Sequence, residues 1–588
     1  MNTMRQRAER YQKFTPVVLA DRRWPDNVIA KAPRWLSTDL RDGNQSLVSP
    51  MTPERKLAMF ELLVDIGYKE IEVGFPVASQ DDHDFLRMLI EQDRIPDDVR
   101  ITVMVQARDE LIRRTVESLR GAPRAVVHLY NATSPLFRRV VFGMTREECK
   151  DLAVQGTRLV MKYGERLLGE CDLGFQYSPE LFGDTELDFA LEVCEAVMDV
   201  YQPETGRDII LNFPTTVERT TPNVFADQIE WMHRNLSRRE HVCLSIHPHN
   251  DRGTGVASTE LAVMAGAERV EGCLFGNGER AGNVCLVTLG LNLFAQGVDP
   301  GVDFSDINRI RRVVEECNGL PVHPRHPYGG DLVYTSFSGS HQDAIKKGFD
   351  DLARRAAATG REAGGMPWDM PYLLIDPADV GRTYETLVRI NSQSGKGGVA
   401  YVLSTWHGLN LPRALQADFA GVVQAHVDGT REEVTPQRVK ELFDSEYMVG
   451  DDRPIPIPPQ DVPVTVTLHI DGGGFAVDGS RTTDVHTVRE QLAQWGFTVV
   501  AVHRTPAQEN RENREDHESR EGREGREDRV AVYVDCSFTA GAHWGVGLGR
   551  DLKEAAQAAV RSAVLRARRG GAETGSGPIP ALATASGS

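Results

Sequence analysis

Between residues 34 and 297, short β-rich runs alternate with segments of helical spacing, and this repeat limits the fold more than any other feature. The runs are "RWLSTDLRDG", "EIEVGFP", "RITVMVQ", "RAVVHLYNA", "DLGFQYSPE", "DIILNFPTTVE", "VCLSIHPHND" and "RVEGCLFGNGER". Between them lie stretches such as "PERKLAMFELLVDIG" (53–67) and "TPNVFADQIEWMHRNL" (221–236). In both, a threonine precedes a proline, the N-cap-then-proline entry of a helix. Eight such units over roughly 260 residues predict an α/β fold, a closed (β/α)8 TIM barrel. A doubly wound open sheet is the competitor, but it rarely uses eight such regular units.

At 588 residues the chain exceeds one hydrophobic core. Residues 1–33 read as an N-terminal arm, 34–300 as the barrel and 301–450 as helical linker subdomains. The linker carries "HPRHPYGG", "SGSHQDA", "MPYLLIDP" and "NSQSGKGG". Its "SGKGG" lacks the GK[ST] and preceding strand of a phosphate loop and reads as a turn or hinge. The proline-rich "DDRPIPIPPQDVP" opens a C-terminal α+β domain over 451–568. Two similar β-plus-helix halves there suggest a regulatory or dimerising module. Between the halves, residues 509–529 hold nine acidic and six basic residues and almost nothing apolar. Such a segment cannot offset its ordering entropy, so a disordered charged insert is expected. The Gly-, Ala- and Ser-rich tail, 569–588, is expected to be disordered too.

Charge and composition remove several function classes. A net charge of −18 argues against a nucleic-acid partner, which needs basic surface to replace counterions. No apolar run reaches about 18 residues, so no membrane span or membrane partner is expected. The opening "MNTMRQRAERYQKF" lacks the apolar centre of a secretory signal. Eight scattered cysteines without a CxxC pair read as thiols of a reducing, cytoplasmic compartment.

In a TIM barrel the chemistry gathers at the C-terminal strand ends, and here those ends are polar: "DLRDGNQ", "YSPE", "PTTVE", "HPHND" and "GNGERAGN". Residues i and i+2 of a strand share a face, so His247 and His249 can present two imidazoles to one ion. Strands 8 and 1 follow around a closed barrel, which brings Asp42 and Asn283 to the same point. That N/O set suits Zn²⁺, Mn²⁺ or Mg²⁺ with positions open for substrate. Alone, an HxH pair is as readily a surface or core feature. Arg41 suits an enolate or oxyanion beside a metal, or else a salt bridge to Glu70 or Glu72. Glu180 suits proton transfer, or else a charge at a helix N-terminus. The glycine-rich loop "GNGERAGN" offers backbone N–H groups to an anion, or is a plain βα turn.

"DLRDGNQSL", "HPHNDRGTGVASTELAVMAGAERVEGCLFGNGERAGNV" and "NSQSGKGGVAYVL" together resemble the α-isopropylmalate synthase family in its long bacterial form. The resemblance runs over residues 33–567. It implies an acyltransferase that condenses acetyl-CoA with 3-methyl-2-oxobutanoate and water, giving 2-isopropylmalate and CoA, the first committed step of leucine synthesis. It also implies a divalent metal, a monovalent cation such as K⁺, a homodimer, and a C-terminal domain that binds leucine as feedback inhibitor. The metal ligands would be Asp42, His247, His249 and Asn283. Arg41 would polarise the ketone, and His128, Ser178 and Thr216 would line the substrate site. Glu180, His341 and Tyr372 would serve catalysis, the last two supplied from the linker of the partner subunit. His341 is the first choice of base, because imidazole titrates near neutral pH, and Glu180 the second. The family more often has Thr at position 281 and Asp at 285, where this chain has Ala281 and Cys285. Homocitrate synthase, citramalate synthase and a non-catalytic amino-acid sensor are the competing readings. The long C-terminal module favours isopropylmalate synthase, and the intact Arg41, Asp42, His247 and His249 disfavour a sensor.

Overall fold

A computed structural model describes residues 14–336, 339–382, 396–430, 434–448, 456–457, 464–471, 485–505, 530–538, 541–569 and 577–578. In it the eight strand runs close into one parallel barrel. The strands are β1 Arg34–Ser37, β2 Glu70–Gly74, β3 Arg100–Gln106, β4 Arg124–Ala132, β5 Asp172–Glu180, β6 Ile209–Thr215, β7 Val242–Pro248 and β8 Arg269–Gly272. Parallel strands roofed by helices are enclosed on both faces, and every residue of β2, β6, β7 and β8 is buried. Pairing of β1 with β8, Arg34 opposite Arg269 and Leu36 opposite Glu271, seals the barrel.

The helix starts follow the sequence, with one difference. Helix Pro53–Ile66 is capped by the Thr52 side chain, which accepts from Arg55 N at 3.4 Å, and Gly67 ends it at φ +107°. Helix Pro222–Asn235 begins after Thr221, whose side chain makes no cap bond, so there proline alone marks the entry. The arm before the barrel docks on this helix. Trp24 Nε1 donates to Asp227 at 2.8 Å, and Arg22 forms an ion pair with the same carboxylate.

The chain divides into two units, 1–333 with 375–382, and 334–374 with 383–588. In the second, strands Val464–Asp471, Phe497–Thr505, Val530–Phe538 and Gly541–Gly549 form a four-stranded mixed sheet. Helices Val485–Gln494 and Leu552–Arg569 cover one face, sealing Val466, Leu468, Val532 and Val534 under Ala555, Ala559 and Ala563. Tyr533, Trp544 and Val546, from the last two strands, pack with residues of the helices Lys396–His407, Arg413–Thr430 and Pro436–Tyr447. The two β-plus-helix halves read from the sequence thus build one sheet. The stretch read as a hinge differs: Lys396–Gly398 open a helix, while Ser394 and Gly395 lie outside the described residues, as does the insert 509–529. Of the tail, Arg569 ends the last helix, and Gly577 and Pro578 pair with Ile457 and Pro456.

Candidate active site

β7 carries His247 one residue before its end and His249 just beyond it, and the two rings lie 5.2 Å apart. Asp42 comes from a single helical turn, Asp39–Gly43, that follows β1. Strand alternation therefore does not govern Arg41 and Asp42: both sit in that turn, with Arg41 Nη1 3.0 Å from Asp42 Oδ1. The Nε2 atoms of His247 and His249 lie 3.3 and 3.5 Å from the same Asp42 oxygen, Oδ2. All three residues are buried. A β-bridge between His249 and Asn283 brings the asparagine alongside. Its Nδ2 donates to Cys273 Sγ at 3.2 Å, while its buried Oδ1 has no hydrogen-bond partner among the described residues.

Two imidazole nitrogens, a carboxylate and an orphaned amide oxygen are a donor set that fits a divalent cation. Burial alone would raise the Asp42 carboxyl, but Arg41 and His247 beside it hold it well below the usual range. Burial alone would lower His247, but Asp42 and Glu271 overcome it and hold the imidazole at about 9. His249 is pushed down to about 3 by burial and by its neighbour His247.

Below these residues the barrel interior is polar. Glu271 of β8 accepts from His247 Nδ1 at 2.9 Å, Gln176 at 2.7 Å, Asn212 at 3.3 Å, Ser245 at 3.2 Å and Arg269 at 2.6 Å. Asn212 also donates to Ser178 Oγ at 2.9 Å, and Ser178 lies 2.7 Å from His128 Nε2. His128 Nδ1 donates to Glu72 at 2.8 Å, and Glu72 accepts from Arg41 Nε at 2.6 Å. The bonds close on themselves: Asp42, His247, Glu271, Asn212, Ser178, His128, Glu72, Arg41 and back to Asp42. Buried charges of this kind persist only when each is paired.

Above the ring is a cavity of about 300 Å³, walled in part by Phe75, Met104, Tyr130 and Pro214 and by the polar residues Arg41, Asp42, His128, Ser178, Glu180, Thr216, His247 and His249. Burial raises the Glu180 carboxyl, with Arg41 pulling the other way, so it can take up a proton more readily than an ordinary carboxylate. Thr216 Oγ1 accepts from Leu181 N at 3.0 Å, tying the ends of β5 and β6 together. At the mouth, Arg280 grips Asp251 at 2.6 Å and donates to the Thr216 carbonyl, joining three loops.

The cavity therefore gathers Arg41, Asp42, His128, Ser178, Glu180, Thr216, His247 and His249, with Asn283 beside it. His341 and Tyr372 belong to the second unit, where their rings lie 4.0 Å apart. Glu271, Asn212 and Gln176 were missed by the sequence reading, which named Glu72 only as a salt-bridge partner of Arg41 and not as a partner of His128. Their signal was charge at i and i+2 of a strand, Glu70 with Glu72 and Arg269 with Glu271. Cys285 has a local role: its Sγ accepts from Thr288 N at 3.3 Å as the cap of helix Leu286–Phe294, and lies 3.3 Å from His326 Nε2. An aspartate at that position would cap the same helix.

Residues 32–314 match the family model described as HMGL-like, and 331–404 match "Alpha-isopropylmalate synthase, post-catalytic domain-like". Barrel and site together thus define an enzyme of the HMGL-like class. A curated 2-isopropylmalate synthase of Streptosporangium roseum is 70% identical over 98% of this chain and 98% of its own length. Another, of Thermobifida fusca, is 58% identical over 95% of this chain and 98% of its own. The chain belongs to the 2-isopropylmalate synthase family. Among solved structures, a hydroxymethylglutaryl-CoA lyase of Pseudomonas aeruginosa matches with a TM-score of 0.41 and 18% identity, over 50% of this chain and 95% of that one.

Proposed function

We propose that the cavity above Asp42, His247 and His249 is where acetyl-CoA and 3-methyl-2-oxobutanoate condense to 2-isopropylmalate. The observation that carries this is the convergence of both imidazole Nε2 atoms on one Asp42 oxygen, beside the orphaned Asn283 Oδ1. A divalent ion, Mg²⁺, Mn²⁺ or Zn²⁺, held by these four residues supplies Lewis-acid polarisation of the keto acid. Arg41 adds a buried, fixed positive charge facing the same space, suited to the negative charge that develops on oxygen. His128, Ser178 and Thr216 shape the wall against which the keto acid lies.

Condensation begins when a methyl C–H of the thioester breaks. Its electron pair then forms the new bond to the ketone carbon, and water later cleaves the thioester to release CoA. Glu180 is our first candidate for the proton acceptor, since it faces the cavity with its carboxyl raised by burial. His341, its ring tilted against that of Tyr372, is the second and would come from the partner subunit of a homodimer. Loss of deuterium wash-in to the acetyl-CoA methyl in Glu180→Gln, with retention in His341→Ala, is the expected outcome; the reverse pattern makes His341 the base. The second unit, with its two β-plus-helix halves, would bind leucine as feedback inhibitor. CoA thiol release across a panel of 2-oxo acids, with and without leucine, tests the whole reading. Preference for pyruvate or 2-oxoglutarate would overturn the substrate assignment.

A further inference from the structure

Of the two candidate imidazole ligands, only one is held from behind. His247 Nδ1 is engaged by Glu271 at 2.9 Å, whereas the buried His249 Nδ1 has no hydrogen-bond partner among the described residues. A carboxylate can only accept, so the bond fixes a proton on His247 Nδ1 and leaves Nε2 to face Asp42. The ring cannot turn over without stranding Glu271. That carboxylate is in turn fixed from four other directions: Gln176 on β5, Asn212 on β6, Ser245 on β7 and Arg269 on its own strand. Each of those four is itself buried. A carboxylate so restrained presents one oxygen to the imidazole with almost no freedom, which is what orienting a ligand from behind requires.

We propose that Glu271 is the positioning residue of the metal site, orienting His247 and, through Asn212, Ser178, His128 and Glu72, locking that ligand to the Arg41 side of the cavity. The inference rests on the reading that Asp42, His247 and His249 hold the divalent ion. Its own content is the asymmetry: His247 is preset by the barrel interior, and His249 is free to adjust as the ion enters. Orienting carboxylates of this type typically change metal affinity by about 10–100-fold when lost.

The test is a calorimetric titration of full-length, metal-free protein with Mn²⁺ alone, with no substrate present. Glu271→Gln keeps the shape but removes the charge, and Glu271→Asp keeps the charge but shortens the reach. Both are expected to weaken Mn²⁺ binding by about 10–100-fold. Ser245→Ala removes one of the four donors that fix the same carboxylate and leaves three, so it is expected to weaken Mn²⁺ binding less than either Glu271 variant. The visible spectrum of bound Co²⁺ is expected to change more in the two Glu271 variants than in Ser245→Ala. Folding is followed by circular dichroism, and should Glu271→Gln not fold, the shortened variant carries the test. Wild-type affinity in either folded Glu271 variant, or equal weakening in Ser245→Ala, would overturn the inference. Wild-type protein that binds no Mn²⁺ would overturn the metal reading, and this inference with it.

Discussion

Arg41 is anchored on Glu72, 2.6 Å from its Nε, and still borders the cavity. The two roles the sequence offered for this arginine, salt bridge and oxyanion partner, are therefore compatible. Nε of the guanidinium is spent on Glu72 and Nη1 on Asp42, which fixes the plane of the group. A lysine cannot reproduce a fork held in this way. Arg41→Lys is expected to lower kcat on the order of 10²-fold, as loss of an oriented oxyanion donor does, while the fold persists. Steady-state thiol release with a thermal melt of the same sample checks it.

Asp39 gives the protein a pH dependence unrelated to turnover. Its buried carboxylate accepts from Leu274 N and lies 2.8 Å from Ser37 Oγ, with no cationic side chain bonded to it among the described residues. Burial raises it from an ordinary 3.8 to about 7, against the pull of those hydrogen bonds. A raised folded value means stability is fully present below about 4 and is lost as pH climbs through about 7. The full loss is on the order of 4 kcal/mol. Asp39→Asn is expected to flatten the fall in melting temperature between pH 5 and 8. An unchanged slope in that variant would show that another group titrates.

Gly278 guards Asn283. A Cβ built there lies 2.7 Å from Asn283 Nδ2, at a backbone φ of +154° that side chains rarely adopt. Gly278→Ala should push the amide away from the ligand cluster and weaken Mn²⁺ binding by roughly tenfold or more. Gly253→Ala is the control: its φ is also positive, +74°, but a Cβ there meets nothing within 4 Å. Calorimetry on both proteins separates displacement of Asn283 from backbone strain.

The barrel was legible because a period of eight strand–helix units is carried by local apolar patterning, as in the continuous "IILNF" of β6. The gathering of Asp42, His247, His249 and Asn283 was legible because strand alternation is local and barrel closure brings the end of β8 beside β1. The polar ring was not. Glu72 bonds His128, 56 residues away, and Glu271 bonds Gln176 at a separation of 95. Nothing in a strand such as "RVEG" says whether its charges face water or one another. The run "RWLSTDLRDG" also misled, since only Arg34–Ser37 is strand and Arg41 and Asp42 follow in a helical turn. Thr221 meets its helix through its carbonyl, which accepts from Val224 N and Phe225 N, and not through its side chain.

The central claim is that His247, His249 and Asp42 serve one ion that the reaction needs. The most direct measurement is CoA thiol release from acetyl-CoA and 3-methyl-2-oxobutanoate by His249→Ala and wild-type protein, each titrated with Mn²⁺ after metal removal. The account predicts that wild type gains activity as the ion is added, while His249→Ala, folded by circular dichroism, stays inactive throughout. Near-normal, metal-dependent turnover in His249→Ala would contradict it.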